Sequence, residues 1–109
     1  MSKVRCIIKH PDEEFGHVTN ISVTLENLQK TVGGHIEVTG LCPGAVIICN
    51  EEGKLRGLEP NILKGFGPCT DVIVGTIIAI GVGGEHDEEF VDLPIDFRQW
   101  KSILREWGN

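Results

Sequence analysis

"DVIVGTIIAIGV", residues 71–82, is the stretch that decides the fold. Twelve residues with a glycine inside fall short of the roughly 18 apolar residues that a membrane-spanning helix needs. The run reads as a buried strand, the longest in the chain. Gly75 in its middle marks a bulge or a close approach by another backbone. Around this strand the rest of the sheet falls into place. "AVIIC" (45–49) is apolar on both faces, as a central strand is. "HIEVTGL" (35–41) sets Ile36 and Val38 against His35, Glu37 and Thr39, a strand with one wet face, and the "CPG" turn (42–44) joins it to its neighbour. "KVRCIIK" (3–9) alternates Val4, Cys6 and Ile8 against Arg5 and Lys9. The acidic turn "HPDEEFG" (10–16) lets the β-branched "HVTNISV" (17–23) pair back on it. "GGEHDEE" (83–89) is an exposed acidic turn, and "FVDL" (90–93) is a short last strand.

Two segments change period. In "TLENLQKTVGG" (24–34), Leu25, Leu28 and Val32 share a helical face, with Thr24 as N-cap and Gly33 at the left-handed C-terminal position. Two turns are too few to stand alone, so this helix packs on the sheet. Near the C-terminus, Asp96 and Gln99 have capping-box spacing, and Ile95 with Trp100 has staple spacing. Phe97, Trp100, Ile103, Leu104 and Trp107 form an apolar stripe that Gly108 ends. Both tryptophans are read first as core, second as anchors for a partner. The expected fold is α+β: a mixed, mainly antiparallel β-sheet of five or six strands, with a short central helix and a C-terminal helix, in one domain over 1–109.

The chain has 109 residues and a net charge of −6. That balance disfavours double-stranded nucleic acid, whose binding depends on Lys and Arg neutralising phosphates. Residues 1–10 show no secretory pattern, so a cytoplasmic protein with no membrane segment is expected. Cys6, Cys42, Cys49 and Cys69 are then reduced thiols, and their spacing suits no zinc knuckle. No catalytic residue, metal site or cofactor is expected. The four histidines share no tight motif with a nucleophile, and no P-loop or dinucleotide fingerprint occurs.

"NEEGKLRGLEPN" (50–61) is the most informative polar stretch. Asn50 to Gly53 suit a type I turn followed by a left-handed glycine, with the Asn50 side chain bonding the backbone two residues on. Residues 54–68 then read as a long loop with three glycines, two prolines and three basic residues. Long ordered loops in small domains carry function disproportionately. Arg56 and Lys64 supply charge, Asn61 a two-way amide and Phe66 a stacking face, and these with Asn50 are the candidate ligand-binding residues. Such parts suit a nucleotide-like anion.

The blocks "LENLQKTVGGHIEV", "VIICNEEGKLRGLEPN" and "DVIVGTIIAIG", in this order, resemble a small phage and prophage family catalogued only as a domain of unknown function. The resemblance covers roughly residues 5–92, and "GLEPN" stands where the family shows "GLPxN". It implies a phage-borne protein in the cytoplasm of an infected bacterial host, with no catalytic residues to carry over. Phage proteins of this size and acidity often counter host defence. Analogy with anti-Thoeris and anti-CBASS sponges implies a non-enzymatic, homo-oligomeric protein. It would sequester a nucleotide-derived signal, of cyclic ADP-ribose type or a cyclic oligonucleotide. The alternatives are a small phage protein that inhibits a host protein through the acidic 85–92 turn or the Trp100/Trp107 helix, and a hydrolase of the same signal.

Overall fold

The computed structural model describes residues 3–84 and 89–109. The order is β1 (Lys3–Lys9), β2 (His17–Ser22), α1 (Leu25–Val32), β3 (Ile36–Cys42), β4 (Ala45–Asn50), β5 (Pro60–Lys64), β6 (Asp71–Val74), β7 (Ile77–Gly83), β8 (Glu89–Val91) and α2 (Phe97–Glu106). Six strands make one antiparallel sheet in the order β2-β1-β7-β4-β3, with β8 also paired to β7. β5 and β6 form a separate antiparallel pair. The fold is α+β, with a short central helix and a C-terminal helix.

β7 explains the layering. Ile77, Ile78, Ala79 and Ile80 are all fully buried, so both faces of the sheet need a cover. On one face Ile7, Ile47, Ile77 and Ala79 meet Trp100 and Leu104 of α2 and Ile62 and Ile73 of the small sheet. On the other, Cys6, Ile8, Ile48, Ile78 and Ile80 meet Leu28 and Val32 of α1. Despite its alternating sequence, β1 is buried on both faces at its C-terminal end. Ile7, on the face shared with Arg5 and Lys9, is as buried as Cys6.

The caps form as expected. Asn27 N–H donates to Thr24 Oγ1 at 3.1 Å, and Gly33 closes α1 at φ 82°. Gln99 N–H donates to Asp96 Oδ1, and Asp96 N–H donates to Gln99 Oε1, completing the capping box. Trp100 has no exposed surface, and its Nε1–H donates to Phe15 O at 2.7 Å. That bond ties α2 to the β1–β2 turn. It also makes Trp100 a core residue and not a partner anchor. Arg5 secures the chain between β8 and α2, donating from its guanidinium to Leu93 O and Ile95 O.

Three sequence expectations change. The 71–82 run is two strands in two sheets, parted at Gly75 (φ 75°), where a Cβ would lie 2.8 Å from Leu58 Cδ1. The 54–68 segment is not one loop, since its second half contains β5. And residues 50–53 do not turn the chain back onto β4. They open a connection to the other sheet, in which Arg56 N–H reaches Glu52 O and Leu58 N–H reaches Gly53 O. Gly53 is needed for closeness and not for a left-handed turn, because a Cβ there would meet Val74 Cγ2 at 2.7 Å. Of the proposed acidic turn, residues 85–88 lie outside the described residues.

Gly75→Ala should cost about 1–3 kcal/mol, from left-handed strain and displacement of Leu58. Gly40→Ala, which would meet nothing within 4 Å, should stay within about 0.5 kcal/mol of wild type. Urea denaturation reads both, and equal effects would contradict the switch assigned to Gly75.

Candidate functional site

The five candidate ligand residues fall into two groups. Asn50 is buried at the end of β4. Its Nδ2 donates to Val32 O at 3.1 Å, and its Oδ1 accepts from Glu52 N–H at 2.8 Å, the Asx-type turn bond expected from the sequence. Arg56 is half-exposed, donating from Nη1 to Gly33 O at 3.3 Å, with Nη2 3.7 Å from Glu52 Oε1. Asn61 donates from Nδ2 to both Lys9 O (2.8 Å) and Gly75 O (2.7 Å), while its Oδ1 accepts from Lys9 Nζ at 2.5 Å. These three side chains bond to the backbone of Val32, Gly33 and Gly75. All three carbonyls belong to residues that line one hollow of about 300 Å³. Pro11, Thr31, Leu58, Glu59 and Thr76 complete its wall.

Lys64 and Phe66 stand elsewhere. Lys64 pairs with Asp71 at the far end of the small sheet, while Pro60 pairs with Val74 next to Gly75. A rise of about 3.3 Å per residue puts Lys64 roughly 13 Å from Pro60. There its ammonium lies 5.8 Å from the centre of the Trp107 ring, and Phe66 is 61% exposed. The structure thus does not bring all five residues to one place.

The local chemistry of the hollow follows from α1. A helix C-terminus leaves unpaired carbonyls and a partial negative charge. Asn50 and Arg56 satisfy two of those carbonyls, at Val32 and Gly33, and Arg56 brings a full positive charge to the Gly33 carbonyl. The walls are mostly apolar, with Thr31, Thr76 and Glu59 among the residues that line them. About 300 Å³ is the lower end of the range for small-molecule sites.

Beneath it sits a residue that sequence reasoning missed. Lys9 is only 3% exposed, and burial pushes its ammonium below the usual lysine range, partly offset by the Glu13 and Asp12 carboxylates. Its amine bonds Asn61 instead of solvent. The available signal was adjacent Ile7 and Ile8, which announce burial on both faces of β1.

A second hollow, of about 270 Å³, opens between β3, β4 and β6. Lys54 Nζ spans it to Asp71 Oδ1 at 2.7 Å, and that hydrogen bond holds the Asp71 carboxyl below its usual range. Cys49 lies in its wall, its thiol 3.8 Å from Glu37 Oε2. Burial first, and then the Glu37 carboxylate, push the Cys49 thiol up to about 11. That is the opposite of an activated nucleophile, which needs a lowered pKa or an adjacent base. A third, more apolar groove of about 480 Å³ runs along α2 past Cys42, Ile95, Arg98 and Ile103.

No helix among the described residues is long and apolar enough to cross a membrane. No curated protein and no solved structure matches the chain.

At neutral pH a disulfide-exchange reagent should label exposed Cys69 first and Cys42 more slowly, with buried Cys6 and Cys49 labelled only as the protein unfolds. Rapid native labelling of Cys49 would contradict its inert assignment. The Cys6 and Cys49 thiols both rise from 9.0 to about 11 on folding. Their contribution to stability is therefore complete below pH 9 and lost as pH climbs through 11. Cys49→Ala should flatten this alkaline decline in urea titrations, and an unchanged slope would contradict it.

The family described as "Domain of unknown function (DUF3846)" matches residues 4–107 of the chain, nearly its whole length, and the chain belongs to that family.

Proposed function

We propose that this domain is a non-enzymatic binding module that sequesters a small nucleotide-derived molecule in the hollow between α1, the β4–β5 connection and the β6–β7 junction. One observation carries the reading. Three side chains singled out for ligand chemistry, Asn50, Arg56 and Asn61, each bond a backbone carbonyl of a residue that lines a single hollow. The two asparagines act as scaffold, since their amides are engaged with protein groups. Arg56 supplies the charge. Exchanging its contact with Glu52 for a phosphate gives a guanidinium–phosphate pair, one of the stronger polar contacts available to proteins. Leu58, Val32 and Pro11 offer an apolar surface for a base, and Glu59 accepts from ribose hydroxyls or an exocyclic amine.

The same chemistry fits a counter-defence role in phage, in which the captured signal is held and not cleaved. A second reading, inhibition of a host protein, draws on a different observation: Leu55 is 89% and Phe66 61% exposed. Leu55 sits on the β4–β5 connection and Phe66 on the β5–β6 tip, where Lys64 lies over Trp107 of the C-terminal helix.

Calorimetry with a cyclic ADP-ribose and with a cyclic dinucleotide separates the readings. We expect one of them to bind and to be recovered intact after heat release, with Arg56→Glu weakening it about tenfold or more. Absence of binding to both contradicts sequestration. Recovery of cleaved ligand favours the hydrolase instead. A protein partner retained by Arg56→Glu and lost in a Leu55→Asp, Phe66→Asp variant favours the second reading.

A further inference from the structure

We propose that the outer edge of β6, a site separate from the nucleotide hollow, docks an extended, basic segment of a partner protein as a third strand of the small sheet. The register of that sheet sets Leu63 opposite Val72. In an antiparallel ladder the N–H and C=O of one residue point to the same side, and neighbours alternate. Leu63 turns both of its groups away from β6: its N–H donates to Asn109 Oδ1 at 2.9 Å, and its O accepts from Asn109 Nδ2 at 2.8 Å. Val72, its opposite, therefore turns both groups away from β5.

Other contacts agree with that direction. Val72 N–H donates to Asp71 Oδ1 at 2.8 Å and not to β5. Gly75 N–H donates to Glu59 O at 2.8 Å, so position 75 faces inward and, by alternation, Val74 faces outward with Val72. Pro60, opposite Val74, has no N–H to offer it. The two edges of the small sheet thus differ. On β5 the Asn109 amide takes the place of a neighbouring residue at Leu63. On β6, Val72 and Val74 border the hollow of about 270 Å³ between β3, β4 and β6. Outward main-chain groups on such an edge are a template for a further strand.

The lining of the hollow selects the strand that fits. Glu37, Glu51 and Asp71 border it together with one cation, Lys54. Lys54 Nζ and Val72 N–H share a single oxygen, Asp71 Oδ1. A basic side chain on the incoming strand takes the place of Lys54 at Asp71, while a carbonyl of the same strand accepts from Val72 N–H. Glu37 and Glu51 receive further basic residues. Leu55, exposed in the same wall, offers contact to an apolar residue between them. An acidic segment meets like charge at three positions and is rejected.

An NMR titration of the full chain with a capped peptide alternating arginine and valine tests the site. The expected result is saturable binding that shifts the Val72 and Val74 amides and slows their hydrogen exchange about tenfold or more. A peptide with aspartate in place of arginine should bind about tenfold more weakly or worse, and so should the basic peptide to a Glu37→Lys, Glu51→Lys variant. N-methylation of alternate peptide amides should abolish binding for one of the two alternating sets, because only one set reaches the edge. Circular dichroism checks that the variant is folded. No binding of the basic peptide, equal binding of the acidic one, or shifts at Leu63 and Asn109 in place of Val72 and Val74 overturns the proposal. A dimer that protects the same two amides without peptide gives the edge to a second copy and overturns it as well.

Discussion

The structure depends on one constraint: β7 is apolar on both faces and cannot remain in contact with water on either. Four consecutive side chains, from Ile77 to Ile80, have no exposed surface. Sequestering them requires two separate covers. α1 is long enough to cover only one side of the sheet, and the other side is shared by α2 and the β5–β6 pair. The pair reaches that side because the chain leaves the small sheet at Gly75 and enters the large one at Ile77. A residue with a Cβ at position 75 would take on backbone strain and press against Leu58 together. The connection from β4 to β5 and the junction from β6 to β7 are therefore forced past each other, close to the end of α1. The hollow lined by Gly33, Leu58 and Gly75 is the space left where these three segments meet.

This geometry also explains the polar groups around it. A helix end, a long connection and a strand switch all leave backbone carbonyls without ladder partners, and buried ones must be satisfied. Asn50, Arg56 and Asn61 meet that need at Val32, Gly33 and Gly75. Lys9 extends the arrangement, its buried ammonium held by Asn61, so β1 is joined to the small sheet by a polar contact as well as by the core. Arg56 brings a positive charge to the end of α1, in a molecule that is acidic as a whole.

Much of this was legible in the residues. Caps at Thr24, Gly33, Asp96 and Gln99 were readable because each is a local rule, decided within four residues. The central placement of "AVIIC" was readable because double-sided apolarity has one explanation. The split of residues 71–82 was not, since strand period is the same on either side of a change of sheet. Gly75 raised the possibility of a close approach, but only the fold shows that Leu58 is what approaches. β5 escaped notice because Pro60 and the glycines that flank the strand resemble loop composition, although a strand tolerates a proline at its first residue. Among the candidate residues, Asn50 makes the turn bond read from its spacing, and Asn61, read as a two-way amide for a ligand, spends that capacity on the Lys9 and Gly75 carbonyls and the Lys9 ammonium. Lys64 and Phe66 were grouped with Arg56 by nearness in sequence, which a β-strand undoes by carrying them to its other end.

The most direct test of the central claim is an amide-resolved NMR titration of the wild-type chain with the nucleotide that binds in calorimetry. The account predicts that the largest shifts cluster at Thr31, Gly33, Leu58, Gly75 and Thr76, together with the Arg56 side chain. Shifts confined to Phe66, Trp107 and the β5–β6 tip would place the ligand on the other end of the small sheet and contradict the assignment of the hollow.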